Sequence, residues 1–341
     1  MKWIKILFCF FIDILKEVAV YLFIVPLGIA YYFCCLKKRG EVKIILCNHI
    51  GDIIFTLAVL DPLKESNKKI TLLLEKRWFF MLSAFEIKAE VKKISPFWRW
   101  IIFRSNKTEV GQRILYYNKE VKIVNTGDYF TLGYEAPSRI EGCTLVDCIH
   151  RIALGLDHTY EIQLKRKKTI SEAELQQFVI HSGVIKGKTV ILTPVAHSVS
   201  NLDLDFYERL AKRLKEYGYQ VFTNLSSDKE KEIRGTKRLV CGLERIVEIA
   251  EYCGYLIGVR NGLMDLVSLS NCKIVALYPK NNPMYDFYNI QKNRKENNGK
   301  LWQYQLTGNT MQDVETIIRL YLKGELYVDI KTFENGKEGT I

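Results

Sequence analysis

No C-x-x-C pair occurs among the nine cysteines, and the chain has only five histidines. Metal ligation therefore has no support in spacing. Nucleotide-binding and hydrolase signatures are missing as well: there is no G-x-G-x-x-G, no Walker A, no H-E-x-x-H and no G-x-S-x-G. The sequence also lacks an RNA-binding motif, a basic-helix repeat and zinc-finger spacing, which sets nucleic acid aside as a partner. Neither a solenoid-period repeat nor a low-complexity tract is present.

What remains is a basic, apolar-rich chain of 341 residues, with 50 Lys+Arg against 38 Asp+Glu and a net charge of +12. A hydrophobic fraction of 48% with 12% aromatics is ample for two domain cores and excludes disorder. The positive balance fits an anionic membrane surface or phosphate-bearing substrates. Cys47, Cys148, Cys253 and Cys272 sit inside apolar runs, as reduced core thiols do in a reducing compartment.

The amino-terminal segment, residues 1–39, is unusually apolar. Lys2, Lys5, Asp13, Lys16 and Glu17 break its first half, so a cleaved signal peptide is not expected. From Val18 to Leu36 there is no charge, and Lys37-Lys38-Arg39 follows. This stretch reads as a membrane anchor or as an interfacial helical hairpin; a buried core helix is the ordinary alternative. Deleting Met1 to Lys38 is then expected to leave a soluble, folded protein.

After Gly40 the pattern alternates between strand and helix. Strands are expected at Val42–Cys47, Ile70–Leu74, Val91–Ile94 and Val121–Thr126, with helical stretches at Ile53–Leu63, Trp78–Phe85, Phe97–Tyr117 and Leu145–Leu156. Residues 40–160 form one Rossmann-like domain on this reading. Residues 161–187 form a linker, in which Lys165-Arg166-Lys167-Lys168 reads as a solvated surface. A second such domain covers 188–308, with strands at Thr189–Thr193, Tyr219–Asn224, Leu239–Cys241, Tyr255–Val259 and Lys273–Tyr278. Its helices are expected at Asp205–Tyr217, Leu243–Tyr252 and from Leu263. A last helix, within 309–330, and a tail from Lys331 follow. The fold class is α/β, two consecutive domains with a cleft between them.

Chemistry is expected where strands end and helices begin, since open α/β sheets bind ligands there. Asn48-His49-Ile50-Gly51-Asp52 is one such junction. Gly51 supplies its turn, and Asp52 either caps the helix or acts as a general base, with His49 as rival base. Thr193-Pro194-Val195-Ala196-His197-Ser198 is a second, with small residues and backbone N–H groups suited to a diphosphate; an ordinary proline-containing strand exit is the alternative. Asn224 ends the next strand. Arg260-Asn261-Gly262, with Asp265, ends another, and Arg260 brings a fork of donors suited to phosphate. The last three loops, all in the second domain, converge on one rim of one sheet.

Those residues resemble the GT-B glycosyltransferases, specifically the family 9 heptosyltransferase-like enzymes of bacterial surface polysaccharides. Asn48–Leu63 resembles the family's "GD" loop and helix, which implies Asp52 as the base with Asn48 and Gly51 on the acceptor side. Leu192–Asn224 resembles its nucleotide-binding strand, phosphate loop, helix and strand. Leu239–Pro279 resembles a family block in which Gly242, Gly258, Asn261, Gly262 and Asp265 take matching positions. His150 resembles a histidine found before the linker. The family's usual glycine is replaced by Arg260 and its histidine by Asp265. Ser198-Val199-Ser200-Asn201 stands where Lys-Arg-Trp-Pro is common, which leaves Arg260 as the charge on the diphosphate.

The resemblance implies an inverting, metal-independent transferase that needs no cofactor. Its substrates would be a nucleotide sugar and a glycan or glycolipid acceptor in lipopolysaccharide, capsule or O-antigen synthesis. It would work at the cytoplasmic face of the cell membrane. A nucleotide-sugar epimerase of the same architecture, or a non-catalytic nucleotide-sugar-binding protein, are the alternatives.

Overall fold

The computed structural model describes residues 18–36, 40–46, 49–64, 69–87, 89–106, 120–124, 143–162, 164–196, 202–226, 230–282, 285–290 and 300–323. The first half of the amino-terminal segment, the run Lys37-Lys38-Arg39, Cys47 and the tail from Lys331 lie outside these residues. The chain divides into two compact units, Met1–Lys165 and Arg166–Ile341.

The first unit opens with a helical run. A π-helical turn at Val20–Ile24 leads into α1, Val25–Tyr31, and a second π-helical turn at Tyr32–Leu36. β1 (Glu41–Leu46) is followed by α2 (Ile50–Leu57), α3 (Leu60–Lys64) and β2 (Lys69–Leu74). A 3-10 turn at Lys76–Trp78, α4 (Phe79–Ser83), β3 (Glu90–Lys93), α5 (Pro96–Asn106) and β4 (Val121–Val124) come next. The four strands are parallel in the order β3-β2-β1-β4. β1 is buried along its whole length, as expected of an apolar run covered on both faces.

One cover is the amino-terminal helical run itself. Tyr32 and Leu36 are 1% and 2% exposed and pack with Ile45, Leu73 and Ile123 of the sheet and Ile102 and Phe103 of α5. Tyr31 stacks on Trp98 with ring centroids 4.3 Å apart. Gly28 lies so close to α5 that a Cβ there would overlap the Ser105 hydroxyl, which itself donates to the Ile24 carbonyl at 3.0 Å. The expectation that the domain starts only after Gly40 is thus corrected: an uncharged helix beside an apolar sheet buries one face there. Among the described residues, no helix is long and apolar enough to cross a membrane.

α6 (Leu145–Asp147) runs into a π-helical turn at Cys148–Ala153. Thr144 caps it, its hydroxyl accepting from the Asp147 amide while the Asp147 carboxylate accepts from the Thr144 amide. Within this turn His150 is wholly buried. The Tyr160 amide donates to its Nδ1 at 3.1 Å, which leaves Nε2–H to donate to the Phe55 carbonyl of α2 at 3.0 Å. The histidine that the resemblance singled out therefore ties α2 to the end of the domain. Burial, the largest cause, lowers its pKa and keeps it neutral. Its share of stability is complete above the ordinary histidine value of 6.5 and is lost as pH falls below it, because the unfolded chain then binds the proton more readily. Thermal midpoints taken from pH 7.5 to 5 should fall in wild type and flatten in His150→Gln.

In the second unit come α7 (Glu172–Ser182), β5 (Thr189–Thr193), α8 (Leu204–Glu216), β6 (Gln220–Leu225) and β7 (Lys237–Val240). α9 (Ile246–Cys253), β8 (Gly254–Val259), α10 (Gly262–Val267), β9 (Lys273–Tyr278), β10 (Leu301–Gln305) and α11 (Thr310–Lys323) complete it. All six strands are parallel in the order β7-β6-β5-β8-β9-β10, the order of a dinucleotide-binding sheet. α8 and α11 pack on one face, where Phe206, Leu210, Leu214, Val314 and Ile317 meet Val190, Leu192 and Ile257. β10 was not among the expected strands. Arg166, expected in solvent, instead donates to Glu248 at 2.9 Å and pairs with Glu251, its side chain 17% exposed. Lys168 is solvated as expected, 75% exposed.

Candidate functional site

The strand order of the second unit's sheet reverses between β5 and β8, and the loops that leave these two strands part there. That is the place where open α/β sheets hold ligands. β5 and β8 run in register with Thr193 opposite Gly258. A Cβ at Gly258 would overlap the hydroxyl and carbonyl of Thr193, so only glycine lets the two strand ends lie this close. Beyond them Asn261 caps α10, its Oδ1 accepting from the Met264 amide at 3.2 Å. Its amide nitrogen donates across to the Val195 carbonyl at 2.9 Å. One side chain thus shapes both lips of the crevice.

Next along the rim stand two buried polar atoms that no group among the described residues satisfies, the Thr193 hydroxyl and the Asn224 side-chain carbonyl. β6 neighbours β5, and the register Leu192 opposite Thr223 places Thr193 and Asn224 side by side. Buried polar atoms are ordinarily hydrogen-bonded, and two orphans on the ligand-binding rim are what a bound polar group would satisfy. Thr193 opened the second candidate junction in the sequence but was given no role of its own there. The signal available for it was a hydroxyl at the last position of a buried strand. Pro194 and Ala196 are buried beside it. His197 and Ser198 lie outside the described residues. Gly242 follows β7, and its carbonyl accepts from the amides of Arg245 and Ile246 at the start of α9, at 3.0 and 3.2 Å.

Arg260 does not sit as expected. It is 3% exposed, and its Nη2 lies 2.9 Å from the Asp265 carboxylate, near enough for an ion pair but not aligned as a hydrogen bond. Its Nε donates to the Tyr288 carbonyl at 3.0 Å, and the guanidinium lies over the Tyr288 ring. Gly262 opens α10 and Asp265 stands in its first turn, 3% exposed. A cation neutralised inside the fold offers no free charge to a diphosphate, so Arg260 and Asp265 shape the β8–α10 loop instead. Arg260→Ala would remove the cation paired with the buried Asp265 carboxylate, at a cost of about 3–5 kcal/mol. A chemical denaturation curve should show that loss, and a second change, Asp265→Leu, should recover much of it.

In the first unit the β1–α2 junction holds the other candidates. α2 begins at Ile50, and its cap residue is His49 in extended conformation, without a side-chain capping bond. Gly51 and Asp52 are therefore inside the first helical turn, which corrects the reading of Gly51 as the turn and Asp52 as the cap. His49 is exposed and Asp52 is 0% exposed. The Asp52 charge lies close enough to help raise the pKa of the buried Cys148 thiol, after burial itself, Cys143 and Asp147. Asn48 lies outside the described residues. Among the described residues, no group of three or more His, Cys, Asp or Glu side chains is arranged to hold a metal.

No protein-family model and no curated protein matches the sequence. Solved structures do match in fold. ADP-heptose lipopolysaccharide heptosyltransferase II of E. coli superposes with a TM-score of 0.52 at 15% identity, over 84% of this chain and 100% of that one. The glycosyl transferase family 9 protein of Veillonella parvula gives 0.51 at 15%, over 85% and 91%. E. coli heptosyltransferase WaaC, solved with ADP, gives 0.51 at 12%, over 84% and 100%. At these identities the likeness is one of fold: the chain has the GT-B fold of family 9-like glycosyltransferases.

Proposed function

We propose that the protein is a glycosyltransferase that takes a sugar from a nucleotide diphosphate and attaches it to a hydroxyl of a glycan or lipid-linked acceptor in surface-polysaccharide synthesis. The observation that carries this reading is the crevice at the β5/β8 reversal, with its glycine contact, its bridging asparagine and two unsatisfied polar atoms on the rim. The donor is assigned to this crevice. The Thr193 hydroxyl and Asn224 carbonyl meet its polar groups, and the Pro194–Ala196 segment lies along the diphosphate, with His197 and Ser198 as the further donor candidates of the sequence. Hydrogen bonds to the diphosphate that strengthen as it leaves would favour the transition state over the bound donor.

The base is assigned to the β1–α2 junction. Asp52 is the carboxylate that the family resemblance points to, and His49 is the rival already exposed to solvent. With Asp52 buried in this conformation, the acceptor or one water must reach it as the acceptor binds, since catalytic bonds tighten only in the substrate complex. The reaction is assigned as inverting and independent of metal and cofactor, with a single displacement at the sugar carbon. A thermal-shift screen of nucleoside diphosphates and nucleotide sugars tests the donor assignment. One base should raise the midpoint more than the others, and a flat response across the set would count against a nucleotide-dependent enzyme.

A further inference from the structure

The helical run from Val18 to Leu36 contains no charged residue, yet among the described residues only one of its faces is covered by protein. Val25, Gly28, Tyr32 and Leu36 are buried against the sheet and α5. On the other side Leu22 is 63% exposed, Phe23 64%, Leu27 43% and Phe33 53%. α5, packed beside this run, adds Phe97 at 56% and Trp100 at 44%. A helix that is apolar all round belongs in an apolar environment on every side, and this one has such an environment on half of its surface. An exposed apolar patch of aromatic and branched side chains from two neighbouring helices marks an interaction surface.

We propose that this face lies on an anionic lipid bilayer, entering the boundary between headgroups and acyl chains without crossing it. Three observations select this occupant. The uncharged run is bracketed in sequence by cations, Lys2, Lys5 and Lys16 before it and Lys37, Lys38 and Arg39 directly after it, against Asp13 and Glu17. Cations beside an apolar stretch, in a chain of net charge +12, complement anionic headgroups, each adding to the attraction near the surface. The exposed set includes a tryptophan, a tyrosine (Tyr21, 49%) and phenylalanines, the amphipathic and apolar rings that settle at a membrane interface. The buried face excludes a crossing, because Tyr32, Leu36 and the Gly28–Ser105 contact fasten the run to a domain whose sheet cannot enter hydrocarbon.

Flotation of the full-length protein with phosphatidylcholine vesicles, with and without phosphatidylglycerol, tests this. Wild type should float with the anionic vesicles, less so at high salt, and poorly with the neutral ones. Leu22→Glu with Phe23→Glu, and separately Trp100→Glu, should weaken flotation by at least about tenfold while leaving the melting temperature in place, because these side chains already have 63%, 64% and 44% of their surface exposed. The inference is overturned if wild type stays with the unbound fraction. It is overturned equally if flotation persists unchanged in these variants, which would leave residues 1–17 as the sole anchor. It also fails if the variants instead dissociate a dimer in solution, which would make a second copy the occupant. Nucleotide-induced thermal shifts, measured on the same samples, report on the donor crevice separately.

Discussion

Asp52→Asn is expected to lower turnover by about 10²–10⁴-fold, the usual worth of a positioned general base, while donor-nucleotide affinity stays within a few-fold. The substitution keeps the shape of the side chain and removes its ability to take the acceptor proton. Because Asp52 is fully buried in the first turn of α2, the same change is also expected to cost stability. The loss should be about 1–3 kcal/mol, as for a charge-assisted hydrogen-bonding group replaced by a neutral one. Turnover must therefore be compared well below the melting temperature of the variant. His49→Gln is the discriminating partner. If it stops turnover while Asp52→Asn only lowers the melting temperature, the exposed histidine is the base and Asp52 is structural.

Removing residues 1–38 is expected to unfold the first unit. Tyr32, Leu36 and Val25 all have less than 5% of their surface exposed. Burying each contributes about 1.5–3 kcal/mol, so losing the set removes much of a typical domain's margin of about 5–15 kcal/mol. The sheet face that they cover, around Ile45, Leu73 and Ile123, would become solvent-exposed and prone to aggregation. Tyr32→Ala alone should cost about 3–5 kcal/mol. Tyr32→Phe should be nearly neutral, since the buried hydroxyl has no hydrogen-bond partner among the described residues to lose. Circular dichroism melts and limited proteolysis check this series. A truncated protein that melts cooperatively at the wild-type temperature would show that the helical run is dispensable.

The second unit was largely legible in the sequence because its strands are continuous apolar runs bounded by polar loops. Thr189–Thr193 and Lys273–Tyr278 fall where the pattern put them, and the loop at Arg260-Asn261-Gly262 does follow a strand where the strand order reverses. β10 was missed because Leu-Trp-Gln-Tyr-Gln is half polar and lies at a sheet edge, where one side of the strand needs no partner. Side-chain destinations were less legible than backbone. Arg260 read as a phosphate ligand because nothing in sequence shows that Asp265, five residues on, turns back to neutralise it. The same holds for Arg166, which finds two glutamates on α9 more than eighty residues away. An apolar amino-terminal run likewise reads the same whether lipid or protein covers it, and here protein covers one face.

The central claim is that a nucleoside diphosphate binds at the β5/β8 reversal. Calorimetric titration of the best nucleotide from the thermal-shift screen, into wild type and into Thr193→Val and Asn261→Leu proteins, tests it most directly. One saturable site is predicted in wild type. Affinity should fall about tenfold or more in each variant, as expected when a hydrogen-bonding group in a partly dry site is lost, with the melting temperature of Thr193→Val little changed. Equal affinity in all three proteins, or no heat of binding from any nucleotide, would contradict the account.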